Sequence, residues 1–332
     1  AACTPQKLVV VQIADAQLGF MGSERAKSEE NPELANDLSY EVEYLKKAIE
    51  VVNELKPDAV VFTGDQVHRA KNEDQWTTLL QTIATIDPAV KQLHIPGNHD
   101  YIIKKNRIVD TSDYEKHFAE DRFIFTKNGV KLVGINSNLI KYDDSLETAQ
   151  KEWIAKAVAK DKADEITLLF SHHPFFLNEI GEEDGYFQIQ QAKRQEYFDL
   201  FVEKGVDALY AGHLHNCAGG NAYDIPVTTT TSIAYQIGES QPSIRIITVE
   251  DGGNHNALRT EGLTGTRYTK QPGGLVQQVC LVAEDQVVGD GILAIINASL
   301  IHDLLDLKRH ENRQAFGGQG SEGINLADTN RK

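Results

Sequence analysis

Between residues 8 and 250 the chain alternates short apolar runs with longer amphipathic stretches. KLVVVQIAD (7–15), AVVFTGD (59–65), QLHIPGNHD (92–100), ITLLFSHHP (166–174) and ALYAGHLH (208–215) share one design, a continuous apolar run that ends in polar residues. Continuous rather than alternating runs predict strands covered on both faces. Between them, Leu38, Val42, Leu45, Ile49 and Val52 recur at 4-3-4-3 spacing and predict a helix with one apolar stripe. Residues 75–85 and 146–160 also read as helical, as does 188–204, which stops before Gly205. FIFTKNGVKLVGINS (123–137) is different: two strands around Asn128-Gly129, the preferred pair for a tight hairpin. IPVTTTTSI and SIRIITVE add late strands. The sum is a layered α/β domain over 8–253 with some antiparallel pairing.

After about Gly253 the pattern weakens. Residues 254–332 hold a strand-like run at 275–283, an apolar helix candidate at 292–307 and a Gly-rich tail, FGGQGSEG. They read as a peripheral, partly disordered appendage. No internal repeat is visible.

Composition changes this picture little. The chain has 332 residues, 41% hydrophobic and 25% charged, which is ordinary for a globular protein. The net charge of −16 does matter, because an acidic surface repels phosphate backbones and argues against nucleic acid as a partner. Cys3, Cys217 and Cys280 are too few and too scattered for a disulfide framework or a CxxC zinc site. No stretch is long and apolar enough to span a membrane; the nearest, 292–307, carries Asn, Ser, His and two Asp. The lead, residues 1–7, reads AACTPQK without Met. AAC matches the end of a bacterial lipoprotein signal, with Cys3 as a lipid anchor; a cloning boundary is the other reading. Localisation divides accordingly between the bacterial cell envelope and the cytoplasm.

The chemistry gathers at the strand ends, where open α/β sheets place their ligands. Five ends carry Asp15 and Gln17; Asp65; Asn98, His99 and Asp100; His172 and His173; and His213 and His215. Each has a bland reading: a helix cap, a turn, a packed imidazole. Five coincident ends do not. Imidazole with carboxylate and amide oxygen suits Zn, Mn or Fe, and the absence of Cys argues against a closed structural zinc site. Several such ligands around one shared carboxylate would fit two metals about 3.5–4 Å apart, as used for phosphoryl displacement.

In order, D-x-Q (15–17), G-D (64–65), G-N-H-D (97–100), H-H-P (172–174) and G-H-x-H (212–215) resemble the calcineurin-like metallophosphoesterase superfamily over about residues 8–250. ADAQLG, SHHPFFLNEIGEEDGYF and GHLHNCAGG are most similar to its small D-x-Q branch, which includes Ser/Thr protein phosphatases. The resemblance implies a four-layer α-β-β-α sandwich with mixed sheets. It implies two divalent or mixed-valence ions of Mn, Fe or Zn. Asp15, Asp65 and His215 would hold one, with Gln17 where the family usually has His. Asp65 would bridge to the other, completed by Asn98, His172 and His213. A hydroxide bridging the metals would attack phosphorus, His99 would protonate the leaving oxygen, and Asp100 would orient the His99 ring. Gln17 is the departure, since an amide oxygen is a weaker, neutral donor.

Of the other histidines, His173 reads as a bystander, because a strand end does not readily aim neighbours at one metal. His68 reads as structural or supporting. His94 reads as a core residue and His117 says little.

The expected activity is metal-dependent hydrolysis of a phosphomonoester, with a phosphorylated small molecule or a phosphoprotein as substrate. A phosphodiesterase or nucleotide hydrolase is the alternative on the same scaffold. A catalytically weak metal-binding protein is the alternative of another class, and only Gln17 favours it. EIGEEDGYF (179–187) follows a ligand-bearing strand and is expected to border the crevice; its four carboxylates disfavour polyanions, although a solvated loop is the plainer reading. Phe175, Phe176, Tyr186 and Phe187 are either an apolar wall or core. One of Lys104, Lys105 and Arg107 could steady a substrate phosphate, although a solvated basic loop is the plainer reading.

Overall fold

The computed structural model describes residues 7–250 except 143, 239 and 240, with the backbone of 257–262 and 275–280. Cys3, the 292–307 helix candidate and the Gly-rich tail lie outside the described residues. So does most of the expected appendage.

Three parallel strands, β1 (Lys7–Ile13), β2 (Ala59–Thr63) and β3 (Lys91–Ile95), open the first sheet. A hairpin follows, β4 (Ile102–Lys104) and β5 (Arg107–Asp110), whose turn carries Lys105 beside the exposed Lys104 and Arg107. The second sheet takes β6 (Phe123–Lys127), β7 (Val130–Gly134), β8 (Ile166–Ser171), β9 (Ala208–Ala211), β10 (Gly219–Ala222) and β11 (Ile225–Thr229), in the order β10-β11-β9-β8-β7-β6. The chain then returns to the first sheet as β12 (Ser243–Glu250), antiparallel to β1. Two further strands, β13 (Ala257–Gly262) and β14 (Leu275–Cys280), extend it, giving the order β13-β14-β12-β1-β2-β3.

The two sheets face each other. Leu8, Val10, Val61, Leu93 and Ile95 of the first meet Leu132, Leu168, Phe170 and Tyr210 of the second in one buried cluster. Because side chains alternate along a strand, Val133, Leu169, Leu209 and Val227 point the other way. There they pack with Ile154 of α6 (Glu147–Ala157) and with Tyr197, Phe198 and Phe201 of α7 (Gln191–Lys204). Phe175 and Phe176 belong to this cluster and are fully buried, so they are core rather than crevice wall. On the outer side of the first sheet, α2 (Ser39–Leu55) buries Leu45, Ile49 and Val52, and α3 (Glu73–Ile83) buries Trp76, Leu79 and Ile83. His94 is sandwiched there between Phe62, at 4.6 Å, and Phe118 of α4 (Ser112–Phe118), at 4.2 Å. His117 stacks on Trp76 at 5.0 Å. This is the four-layer α-β-β-α arrangement.

The hairpin at 123–137 forms as expected, with Asn128 and Gly129 both at positive φ, 52° and 74°. Besides the short, polar α4, two helices have no readable pattern. α1 (Phe20–Ser28) buries only Gly22 and Ser23, and α5 (Ser137–Lys141) is a single turn. Neither is long or apolar enough on one side to leave a period in the sequence.

Candidate metal centre

The functional residues lie just past the carboxyl ends of β1, β2 and β3 in one sheet and β8 and β9 in the other. The backbone there is bent. Asp15, Gln17, Asp65, His213 and His215 all have positive φ, between 42° and 64°. Non-glycine residues take that conformation at a cost, and it persists only where surrounding contacts hold it. The contacts are visible. Gln17 N–H donates to Asp65 O at 2.7 Å, Gly212 N–H to His172 O at 3.0 Å, and His213 N–H to both oxygens of Asp15 at 3.0 and 2.9 Å. The G-D and G-N-H-D loops touch through bare glycines. A Cβ on Gly64 would stand 2.5 Å from Gly97 N, and one on Gly97 would stand 2.2 Å from Asp65 N. A buried polar chain lies beneath: Gln12 donates to Thr63 Oγ1 and Ala211 O and accepts from Thr230, which in turn accepts from Arg245.

His213 and His215 therefore do not share a strand face, as i and i+2 in a strand would. They sit on a left-handed turn after β9 and join different groups. Asp15, Asp65 and His215 present donor atoms within 4.8 Å of one another, as do His172, His173 and His213.

In the second group His172 is the hub. Its Nδ1–H donates to Thr63 O at 2.9 Å, so its Nε2 faces the site. That nitrogen is 3.0 Å from Asn98 Oδ1, 3.1 Å from His213 Nδ1 and 3.4 Å from Asp65 Oδ2. Metal bonds of about 2.0–2.2 Å put neighbouring donors on one ion about 3 Å apart, which is the spacing seen. In the first group His215 Nδ1–H donates to Tyr235 O at 2.7 Å, leaving Nε2 at 3.5 Å from Asp15 Oδ1. Imidazoles held at one nitrogen by a carbonyl, with the other aimed inward, have the bearing of metal ligands. Gln17 Oε1 is buried with no hydrogen-bond partner. Buried acceptors without donors are costly, and a cation satisfies them.

The electrostatics agree. Burial alone would push the Asp65 carboxyl up, but His172 and His99 outweigh it and hold it well below the usual carboxylate range. Burial opposes charge on His172 too, yet Asp65 pushes it up to about 9. Burial and the neighbouring His172 drive His213 well below the ordinary histidine value. Without metal, a proton on His172 offsets the carboxylates; a metal ion would displace it.

Two expectations need correction. Asp100 does not orient His99. Its carboxylate accepts N–H groups of Gln66 and Val67 on one oxygen and of Gly97 on the other, bracing the two glycine-containing loops. The His99 ring is held by the His68 carbonyl, through Nδ1–H at 2.9 Å, and stacks on the His68 ring at 5.1 Å. The other is His173, expected as a bystander beside the ligand His172, which the structure groups with His172 and His213. Its ring lies 4.4 Å from that of His213, its Nδ1 pairs with Ser137 Oγ at 3.1 Å, and its Nε2 is buried without a partner. The chain turns after Ser171, so strand alternation no longer governs. Carbonyl partners such as Thr63 O and Tyr235 O leave no mark in a sequence.

A family model for calcineurin-like phosphoesterases matches residues 9–217. The chain is 29% identical over 252 residues to the serine/threonine-protein phosphatase CPPED1 of Bos taurus, covering 72% of this chain and 79% of that protein. It is 28% identical over 238 residues to a probable glycerophosphodiester phosphodiesterase GpdQ of Arcobacter nitrofigilis, covering 69% and 80%. Among solved structures, a purple acid phosphatase of yellow lupin seeds superposes with TM-score 0.54 at 14% identity. That match covers 74% of this chain and about half, 49%, of that longer one, and shows a shared fold.

Proposed function

Since this chain belongs to the calcineurin-like phosphoesterase family, and is a metallophosphoesterase, we propose that it hydrolyses phosphomonoesters at a two-metal centre. Phosphorylated small molecules or phosphoproteins are the substrates. Asp15, Gln17, Asp65 and His215 would hold one ion; Asp65, Asn98, His172 and His213 would hold the other. The observation that carries this is the convergence on His172 Nε2 of Asn98 Oδ1, His213 Nδ1 and Asp65 Oδ2 within 3.4 Å, three acceptor types that only a proton or a cation reconciles. When bound, the metals supply Lewis acidity and a nucleophile at neutral pH.

The protein's part is positioning and proton transfer. Asp65 lies between both groups, and its Oδ1 also accepts the His99 N–H at 2.8 Å, which fixes the G-N-H-D loop against it. His99 keeps Nδ1–H on the His68 carbonyl, so Nε2 is the nitrogen that gives a proton to the departing ester oxygen. Asp100 supports this only through the loop backbone. Gln17, whose buried side-chain oxygen has no hydrogen-bond partner, reads as a ligand.

The monoester reading is supported by the phosphatase relative. The GpdQ relative favours a second reading, hydrolysis of diesters. Turnover of p-nitrophenyl phosphate against bis-p-nitrophenyl phosphate, with Mn added, separates them. A preference for the monoester is expected; a preference for the bis-ester overturns it. Among the described residues no helix is long and apolar enough to cross a membrane.

A further inference from the structure

Aromatic rings border both metal groups. Beside the first, Phe20 lies 4.5 Å from Tyr235 and 5.2 Å from His68, and Tyr235 lies 5.8 Å from His215. Beside the second, Tyr186 and Phe187 lie 5.3 and 5.5 Å from His213. Tyr186 is the unusual member. It is 64% exposed, although it is a large ring set against a buried ligand. Its plane is tilted 36° from that of His213, and the Phe187 ring stands nearly perpendicular to it at 5.1 Å, so two aromatic contacts hold a ring that stays largely open to solvent.

The loop that carries Tyr186 is fixed rather than floppy. Arg194, buried in α7, donates to the carbonyls of Ile189, Ile180 and Glu182. Lys141 donates to the carbonyls of Gly185 and Gln188, on either side of the ring. Gln188 and Gln191 tie down Glu183 O and Gly181 O. Glu182 accepts the N–H groups of Leu177 and Asn178. An exposed aromatic ring held this firmly is poised for contact, because its ordering cost is already met before a ligand arrives. The groups around it select against extra anionic charge. Lys141, the cation that acts on His173 and His213, has its ammonium committed to carbonyls, and the loop itself carries Glu179, Glu182, Glu183 and Asp184.

We propose that Tyr186 is a specificity-determining residue, forming with Phe187 a subsite for a flat aromatic ester group. The centre would thereby favour aryl phosphates, of the kind phosphotyrosine presents, over alkyl phosphates of similar size. This rests on the phosphomonoester reading and names the substrate class within it. Aryl phosphates are intrinsically more reactive than alkyl ones, so rates alone do not test the idea. Non-hydrolysable ligands do.

The test is calorimetric binding of phenylphosphonate and cyclohexylphosphonate to the Mn-loaded full chain. The two carry the same charged group and rings of similar size, one flat and one puckered. Phenylphosphonate is expected to bind the wild type about three- to tenfold more tightly, the scale of one aromatic stacking contact. Tyr186→Ala should bring the ratio to within twofold, and Tyr186→Phe should keep it, since the ring and not the hydroxyl is invoked. Elemental analysis of each variant shows that metal is retained. Equal binding of the two ligands by the wild type, or an unchanged ratio in Tyr186→Ala, overturns the proposal. Failure of the phosphomonoesterase reading looks different: both ligands fail to bind, or the wild type prefers the bis-ester.

Discussion

The two ligand groups meet at Asp65 but are built differently. In the second, His172 Nε2 already has three donor atoms at 3.0–3.4 Å, and its own orientation is set by a carbonyl of the opposite sheet. In the first, His215 Nε2 and Asp15 Oδ1 are 3.5 Å apart, Gln17 Oε1 has no partner, and Asp15 spends both oxygens on the His213 N–H. One group is assembled by the fold. The other is drawn together less closely and is completed by a neutral amide. Preorganised ligands lose less on binding. The second group is therefore expected to fill first and hold its ion more tightly.

The largest effect should come from the residue that the groups share. Asp65→Asn removes the charge facing His172 and His99, and turnover should fall beyond about 10³-fold, with both metals lost or weakly held. Elemental analysis per chain checks this; two retained ions would remove Asp65 from the bridging position. His99→Asn separates chemistry from binding. It should lower turnover by about 10²–10⁴-fold while metal content holds, because His99 is the acid and not a ligand. Loss of metal would make it a ligand instead.

What the sequence made legible, and what it hid, follows from how local each feature is. Strand ends bearing Asp15, Asp65, Asn98, His172 and His213 are readable because apolar runs and polar termini are local. The hairpin at Asn128-Gly129 is readable because its turn chemistry is local too. The left-handed backbone at Asp15, Gln17, Asp65, His213 and His215 is not, since it depends on contacts between loops distant in sequence, such as Gly64 against Gly97. For the same reason nothing local in G-N-H-D shows that Asp100 holds backbone N–H groups of two loops and not the His99 ring. Strand alternation would point His173 away from His172, but that rule stops applying once β8 ends at Ser171. Helix α1 escaped because its sequence has no apolar stripe, although its first residue, Phe20, stands beside the centre.

The second group should also reveal itself without metal, through pH. Burial opposes protonation of His172, but Asp65 outweighs it and sets the value at about 9, against about 6.5 in an unfolded chain. A raised folded value means that the stabilisation is complete below about 6.5 and is lost as pH rises through about 9. Chelator-treated protein should therefore lose stability in denaturant melts between pH 7 and 9.5. Protein loaded with Mn should lose much less, since the ion replaces the proton. Parallel losses in both forms would mean that His172 does not carry that proton.

The smallest expected effect bears on the looser group. Gln17 is buried, sits at φ 42° two residues after Asp15, and its side-chain oxygen has no hydrogen-bond partner. Histidine tolerates that backbone region better than most side chains, so Gln17→His should fold. An imidazole donates to a transition metal more strongly than a neutral amide does. The first ion should then bind about tenfold more tightly, the lower end of what groups supporting a metal site contribute, while the second is little changed. Stepwise Mn titration by calorimetry reads the two affinities separately. Convergence of the two values would attribute the difference between the groups to this one side chain. An unchanged first affinity would mean that Gln17 does not reach the ion, and that the looseness belongs to Asp15, whose oxygens the His213 N–H already occupies.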